Sequence, residues 1–199
     1  MLIERYGLKK EQNVTLLGIG MGSIGTLTLE GREAVRSADL IVGARRMVDA
    51  VRLPGQDFLY EYRSREIAAY LAEHPEYTKV VVALSGDVGF YSGAKKLVEL
   101  LGPETKMICG ISSVVYFMSK IGLSWDDAKI VSAHGKTCNL ISLIRENRKV
   151  FAILGTNDGV RNLAEKLTFY GMGDVILHVG ENLSYDNEKI FSKQAKELV

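Results

Sequence analysis

Apolar positions along the chain fall into short continuous runs separated by stripes of helical period. Residues 14–19, 38–42, 80–84, 106–109, 129–131, 150–154 and 175–179, most of them rich in Val, Ile and Leu, read as strands, the majority buried on both faces and therefore parallel. Between them, Ala94, Leu97, Val98 and Leu101 mark one helix face, stopped by Gly102 and Pro103. Val160, Leu163, Ala164 and Leu167 mark another, stopped by Gly171. Shorter helices are expected over 27–37, 64–73, 114–121 and 140–146. Strands that alternate with helices imply right-handed βαβ units and an α/β fold.

A break in the pattern falls at Gly110 to Ser113, a polar, flexible stretch after which the alternation starts afresh. It divides the chain into an N-terminal α/β domain, 1–110, and a C-terminal α/β domain, 111–199, with a ligand cleft expected between two such halves or at strand C-terminal ends. The length of 199 residues leaves no room for a third domain.

Charge changes the picture little. With 25 Lys and Arg against 24 Asp and Glu, the chain has no global field for a nucleic-acid backbone or an anionic membrane. Its apolar runs, 80–84 among them, are far short of the roughly 18 residues of a membrane span, and charges at Glu4, Arg5, Lys9 and Lys10 oppose a secretory signal. A cytoplasmic protein is expected, without nucleic-acid or membrane partners. Cys109 and Cys138 stand in unrelated contexts, so no disulfide framework and no metal site are expected.

Candidate chemistry gathers at the strand ends. Strand 14–19 runs into a G-x-G-x-x-G at Gly20, Gly22 and Gly25, where bare backbone N–H groups could meet an anion. A dinucleotide reading would want an acid at the end of the next strand. Arg45 and Arg46 stand there instead, which favours a 2′-phosphate and hence NADP. A second turn, Ser85 to Gly93, offers Asp87 for a ribose, Phe90 as an apolar cover and Ser92 as a helix cap. A third runs from Gly110 to Ser113. Three such turns form one concave rim, more than a dinucleotide needs. Each residue alone also has a bland role as turn, cap or core.

Taken in order, residues 14–25, 38–46, 85–91 and 110–113, Trp125-Asp126-Asp127-Ala128, 131–135 and Gly180-Glu181-Asn182-Leu183 make the chain resemble the tetrapyrrole (corrin and porphyrin) methyltransferases. Within that family it is most similar to the stand-alone branch that methylates carbon 5 of the cobalamin precursor cobalt-precorrin-7. The resemblance implies a homodimer of two-domain class III methyltransferase chains that binds S-adenosyl-L-methionine. It assigns Met21, Ser85, Gly86, Asp87, Phe90, Ser112, Ser113, Leu154 and Leu183 to that cofactor, and turns the first glycine loop, with Gly20, Gly22 and Ser23, toward the tetrapyrrole. The family loop ordinarily carries Pro and Asp where Met21 and Ser23 stand, and Pro where Val88 stands. A separate protein would supply the carbon-15 methylation and decarboxylation that longer relatives fuse to this unit.

Methyl transfer to an electron-rich ring carbon needs positioning and exclusion of water rather than a strong acid or base, so no catalytic side chain is required. His74 and His178 read as structural, whereas His134 with Lys136 could meet a substrate carboxylate. Arg45 and Arg63 are the arginines expected to fork such carboxylates. Three other readings stay open. One is an NADP-dependent oxidoreductase, for which Tyr116 and Lys120 form a Y-x-x-x-K pair. The others are a non-catalytic ligand sensor and a methyltransferase for another ring carbon or for a protein side chain.

Overall fold

The structure is a computed structural model that describes residues 12–134, 138–155 and 159–199. The chain divides into two compact units, one ending at Ser113 and the other beginning at Val114.

The first unit is built on a five-stranded parallel sheet. Its strands are β1 (Asn13–Gly18), β2 (Leu40–Gly43), β3 (Asp57–Tyr60), β4 (Lys79–Leu84) and β5 (Lys106–Ile108), in the spatial order β3-β2-β4-β1-β5. Its helices are α1 (Leu29–Ser37), α2 (Arg45–Val51), α3 (Ser64–Glu73) and α4 (Ala94–Leu101). The continuous apolar runs have a simple cause: alternate side chains feed two different cores. Val14, Leu16, Leu40, Val42, Val80 and Val82 pack on Ile67 and Leu71 of α3 and Leu97 and Leu101 of α4. Leu17, Ile19, Ile41, Val81 and Ala83 pack with Val35 of α1 and Met47, Val48 and Val51 of α2. A strand covered on both faces leaves few polar positions in its alternation. Truncating a side chain such as Leu71, which is fully buried, costs about 2 to 5 kcal/mol.

Two elements here lie outside the pattern expected from the sequence. β3 pairs with β2 alone, and as an edge strand it keeps Asp57 and Phe58 exposed, so it lacks a continuous apolar run. α2 is only seven residues long and opens with Arg45-Arg46. The helix expected from residue 27 starts instead at Leu29. Thr28 caps it, accepting through its hydroxyl from the Gly31 N–H at 3.1 Å, and Leu27 stays extended.

The second unit carries α5 (Ser113–Lys120), whose first residue ends the first unit, then β6 (Lys129–Ser132), α6 (Leu140–Glu146), β7 (Val150–Ile153), α7 (Gly159–Phe169), β8 (Ile176–Glu181) and β9 (Lys189–Gln194). β6 pairs with β7 in parallel and β8 with β9 antiparallel, so this unit joins a βαβ step to a hairpin. β9, partly exposed along its length, is not among the strands expected from the sequence. Ala164 and Leu167 of α7 and Ala195 are fully buried in its small core.

Candidate functional site

The C-terminal ends of β1, β4 and β5 bring three glycine-bearing turns together. Gly20 and Gly86 form an isolated antiparallel bridge: the Gly20 N–H donates to the Gly86 carbonyl at 3.1 Å and the Gly86 N–H to the Gly20 carbonyl at 2.8 Å. Both glycines have φ of +70°, a region that a side chain disfavours. The third turn approaches more closely still. A Cβ on Gly110 would lie 2.2 Å from the Gly86 carbonyl oxygen and 2.4 Å from that of Gly18, so only glycine fits there.

Asp87 ties the second turn to the third. One carboxylate oxygen accepts from the Gly89 N–H at 2.8 Å and the other from the Gly110 N–H at 3.1 Å. A Cβ on Gly86 would meet Met21 Cε at 3.6 Å and Ser112 Cα at 3.9 Å, so Met21, Gly86 and Ser112 surround one patch of bare backbone. Ser85 is exposed, Phe90 half-buried and edge-on to Tyr91 at 5.0 Å between centroids, and Ser112 buried. Ser113 opens α5 and is half-buried. Gly22 and Ser23 are half-buried in the first loop.

Thr26 is the residue of this loop that sequence reasoning missed. It is buried, accepts from the Met21 N–H at 3.1 Å and donates to the Ser23 carbonyl at 2.9 Å. A hydroxyl two positions before a capping threonine, just past the glycines, was the available signal. Its effect bears on the dinucleotide alternative, because the N–H groups of Gly20 and Met21 are consumed inside the protein rather than held for a pyrophosphate. In a dinucleotide fold the third glycine lets helix and strand pack closely. Here a Cβ on Gly25 would meet only Ser23 Oγ, at 3.9 Å, and α1 begins four residues later.

The arginines divide. The Arg45 guanidinium lies over the Tyr60 ring, 4.7 Å from its centroid, and the side chain reaches solvent. Arg63 is committed locally. Its Nε donates to Glu61 Oε1 at 3.1 Å and its Nη2 to Oε2 at 2.7 Å, a bidentate fork that holds the Glu61 carboxyl down at about 2.

In the second unit, His134 follows β6, is exposed, and packs beside Gly155, where a Cβ would lie 2.9 Å from its Nδ1. Leu154 is half-buried at the end of β7. Lys136 lies outside the described residues. Leu183 sits in the turn after β8, and a Cβ on Gly180 would clash with Phe117 at 2.7 Å and Leu183 Cδ2 at 2.8 Å. This turn is costly by itself: Asn182 and Ser184 hold φ of +49° and +70°, a region that asparagine tolerates and that costs a residue such as Ser184 about 1 to 3 kcal/mol. It is held by Glu188, which accepts from the Ser184 N–H at 2.6 Å and from the Tyr116 hydroxyl at 2.7 Å. Those hydrogen bonds outweigh burial and keep the Glu188 carboxyl below its usual range, with Lys120 3.5 Å away adding to the effect. Burial and Glu188 in turn push the Tyr116 hydroxyl up. A tyrosine serving as an oxidoreductase acid at neutral pH needs the opposite shift.

Among the described residues no helix is long and apolar enough to cross a membrane. The first unit is thus a parallel α/β sheet that gathers glycine turns at its strand ends, the place where ligands bind in open α/β sheets. The comparisons agree on which class this is. Residues 13–199 match the family model for tetrapyrrole (corrin/porphyrin) methylases. The chain is 30% identical over 179 residues to the cobalt-precorrin-7 C(5)-methyltransferase of Salmonella typhimurium, covering 89% of this chain and 88% of that one. It superposes on the precorrin-6Y methylase of Archaeoglobus fulgidus with a TM-score of 0.68 at 20% identity, over 92% of this chain and 90% of that one. It superposes on a Thermus thermophilus uroporphyrin-III C-methyltransferase complexed with S-adenosylhomocysteine with a TM-score of 0.73 at 18% identity, over 94% and 90%. The two structures share its fold. The chain belongs to the tetrapyrrole methylase family and is a methyltransferase.

Proposed function

We propose that the protein transfers a methyl group from S-adenosylmethionine to carbon 5 of cobalt-precorrin-7 in cobalamin biosynthesis. The observation that carries this reading is the convergence of Met21, Gly86 and Ser112 on one patch of bare backbone, in a chain 30% identical to a carbon-5 methyltransferase. Bound there, S-adenosylmethionine supplies a methyl group on a positively charged sulfur, open to in-line attack by an electron-rich ring carbon. The patch suits that ligand: it offers backbone and short side chains to a nucleoside, and Asp87 supplies the only carboxylate named in these turns, a sign compatible with a cation.

Met21, Ser85, Gly86, Asp87, Phe90, Ser112 and Ser113 are the proposed contacts in the first unit, with Leu154 and Leu183 in the second. Asp87 acts mainly by fixing the second turn to the third, since both of its oxygens already accept from backbone N–H groups. Gly20, Gly22, Ser23, His134 and Lys136 are proposed toward the tetrapyrrole. Arg45 is the better placed of the two arginines for a substrate carboxylate, because Arg63 would have to leave Glu61 to reach one. Rate enhancement comes from orientation, which can lower a barrier by roughly 7 to 11 kcal/mol without acid or base catalysis. Assembly as a homodimer belongs to the same proposal.

The test is incubation of cobalt-precorrin-7 with methyl-labelled S-adenosylmethionine, followed by mass spectrometry and mapping of the label. One methyl at carbon 5 is expected. A methyl on another carbon would move the enzyme to a different step, and tight NADPH binding without binding of S-adenosylhomocysteine would restore the oxidoreductase reading.

A further inference from the structure

We infer that Glu188, with Tyr116 behind it, is a positioning residue that sets the cofactor affinity of the second unit by clamping the turn at 182–185. The inference rests on the reading that Leu183 borders the S-adenosylmethionine site. Its structural part stands on geometry alone. Leu183 is fixed from two sides. Its side chain packs at the bare backbone of Gly180, where Phe117 of α5 closes the same space, and its backbone neighbour Ser184 is tied through its N–H to a Glu188 oxygen at 2.6 Å. That same oxygen accepts the Tyr116 hydroxyl at 2.7 Å, which fastens the turn to α5 one residue before Phe117. The outer oxygen faces Lys120 at 3.5 Å, whose ammonium also lies 5.1 Å from the Tyr116 ring centroid.

A turn with two non-glycine residues at positive φ does not keep its shape unless its surroundings over-determine it. Here backbone closes the turn, the Tyr185 N–H donating to the Asn182 carbonyl at 3.0 Å and the Glu188 N–H to the Tyr185 carbonyl at 2.9 Å, and one carboxylate supplies the side-chain fastening. When that carboxylate is removed, the Ser184 N–H loses its acceptor and the backbone can relax out of the left-handed region, taking Leu183 off Phe117. The Y-x-x-x-K spacing of Tyr116 and Lys120 thereby acquires a role as the anchor of a binding turn, with no proton transfer in it.

Glu188→Ala and Tyr116→Phe are the variants, and the probe is S-adenosylhomocysteine, measured by calorimetry alongside steady-state methyl transfer and hydrogen exchange. Alanine is chosen because a glutamine amide oxygen could still accept from both donors. Glu188→Ala is expected to weaken S-adenosylhomocysteine about tenfold, with KM for S-adenosylmethionine rising in parallel and kcat falling less than about twofold. Tyr116→Phe is expected to give about a threefold loss, and the double variant no more than Glu188→Ala alone, because the tyrosine acts only through the carboxylate. Replacement by Asp, one methylene shorter, should recover less than half of the loss. Faster exchange at Ser184 is expected in each weakened variant. Wild-type affinity in a folded Glu188→Ala protein, or additive losses in the double variant, would overturn the clamp. Failure of the wild-type protein to bind S-adenosylhomocysteine would overturn the functional reading itself, and this inference with it. Should Glu188→Ala not fold, the Tyr116→Phe affinity decides alone, since that change removes one hydroxyl at a half-buried site.

Discussion

The two units hold their turns by different means. In the first, backbone meets backbone: Gly20 bridges Gly86, and Gly110 lies so close to Gly18 and Gly86 that no side chain could intervene. In the second, a strained turn is held by the side chain of Glu188. A five-stranded sheet with both faces covered fixes strand ends to within a fraction of an ångström, so contact between glycines is enough to set the rim. A unit built from one parallel pair and one hairpin has less rigid framework to lend, and uses a charged group instead.

The largest expected effect comes from crowding the backbone contact. Gly110→Ala places a methyl 2.2 Å from a carbonyl oxygen that cannot rotate away, and should destabilise the protein by at least about 3 kcal/mol, at the upper end for overpacking. Gly25→Ala, in the same glycine motif, has space and should be neutral or stabilising by up to about 1 kcal/mol. Denaturant unfolding of the pair checks both. Equal effects would mean that the rim is not fixed by the Gly110 approach. In the second unit the corresponding change is Gly180→Ala. There the clash is with the Phe117 ring and the tip of Leu183, which can shift, so a loss of about 1 to 3 kcal/mol is expected, with weaker S-adenosylhomocysteine binding. A loss as large as that of Gly110→Ala would erase the distinction between backbone and side-chain packing.

Asp87→Asn probes the side-chain tie between the second and third turns. Its two oxygens accept two N–H groups, and an amide can replace only one of them, leaving an NH2 facing an N–H. A stability loss of about 1 to 2 kcal/mol is expected in thermal unfolding, less than for Gly110→Ala, because the Gly20–Gly86 bridge remains. A larger loss would make the carboxylate, and not the glycines, the main fastening of the rim.

How much of this was legible beforehand follows from the same physics. The strands buried on both faces, β1, β2 and β4, announce themselves as apolar runs because most of their positions face one core or the other. β3 and β9 do not, since an edge strand and a partly exposed hairpin strand carry Asp57, Lys189 and Lys193 at solvent-facing positions. The glycine turns were visible as composition, but their partners were not: that the amides of Gly20 and Met21 are spent on Gly86 and Thr26 depends on strands far apart in sequence coming side by side. Arg63 looked like a carboxylate fork and is one, with Glu61 two residues away as its carboxylate. Glu188 was invisible, because its pairing with Tyr116 spans 72 residues.

The smallest effect separates the two kinds of fastening by pH. The glycine bridge carries no titratable group, so its protection against hydrogen exchange, corrected for intrinsic rates, should stay level as the solution is acidified. Glu188 has a folded pKa below its ordinary value of 4.5, owing first to the Ser184 N–H and then to the Tyr116 hydroxyl. A carboxyl whose folded pKa is depressed binds a proton more readily in the unfolded chain. Its stabilising contribution is therefore complete above the unfolded value and is lost as pH falls through the folded one. Protection at Ser184 should accordingly fall between pH 4.5 and the more acidic folded value, while that at Gly20 and Gly86 holds, and Glu188→Ala, which leaves no acceptor, should show low protection at every pH. If the Ser184 and Gly20 amides fell together, with the variant following the same curve, the turn would be held by its own backbone hydrogen bonds and by packing against Phe117, and the carboxylate would be incidental.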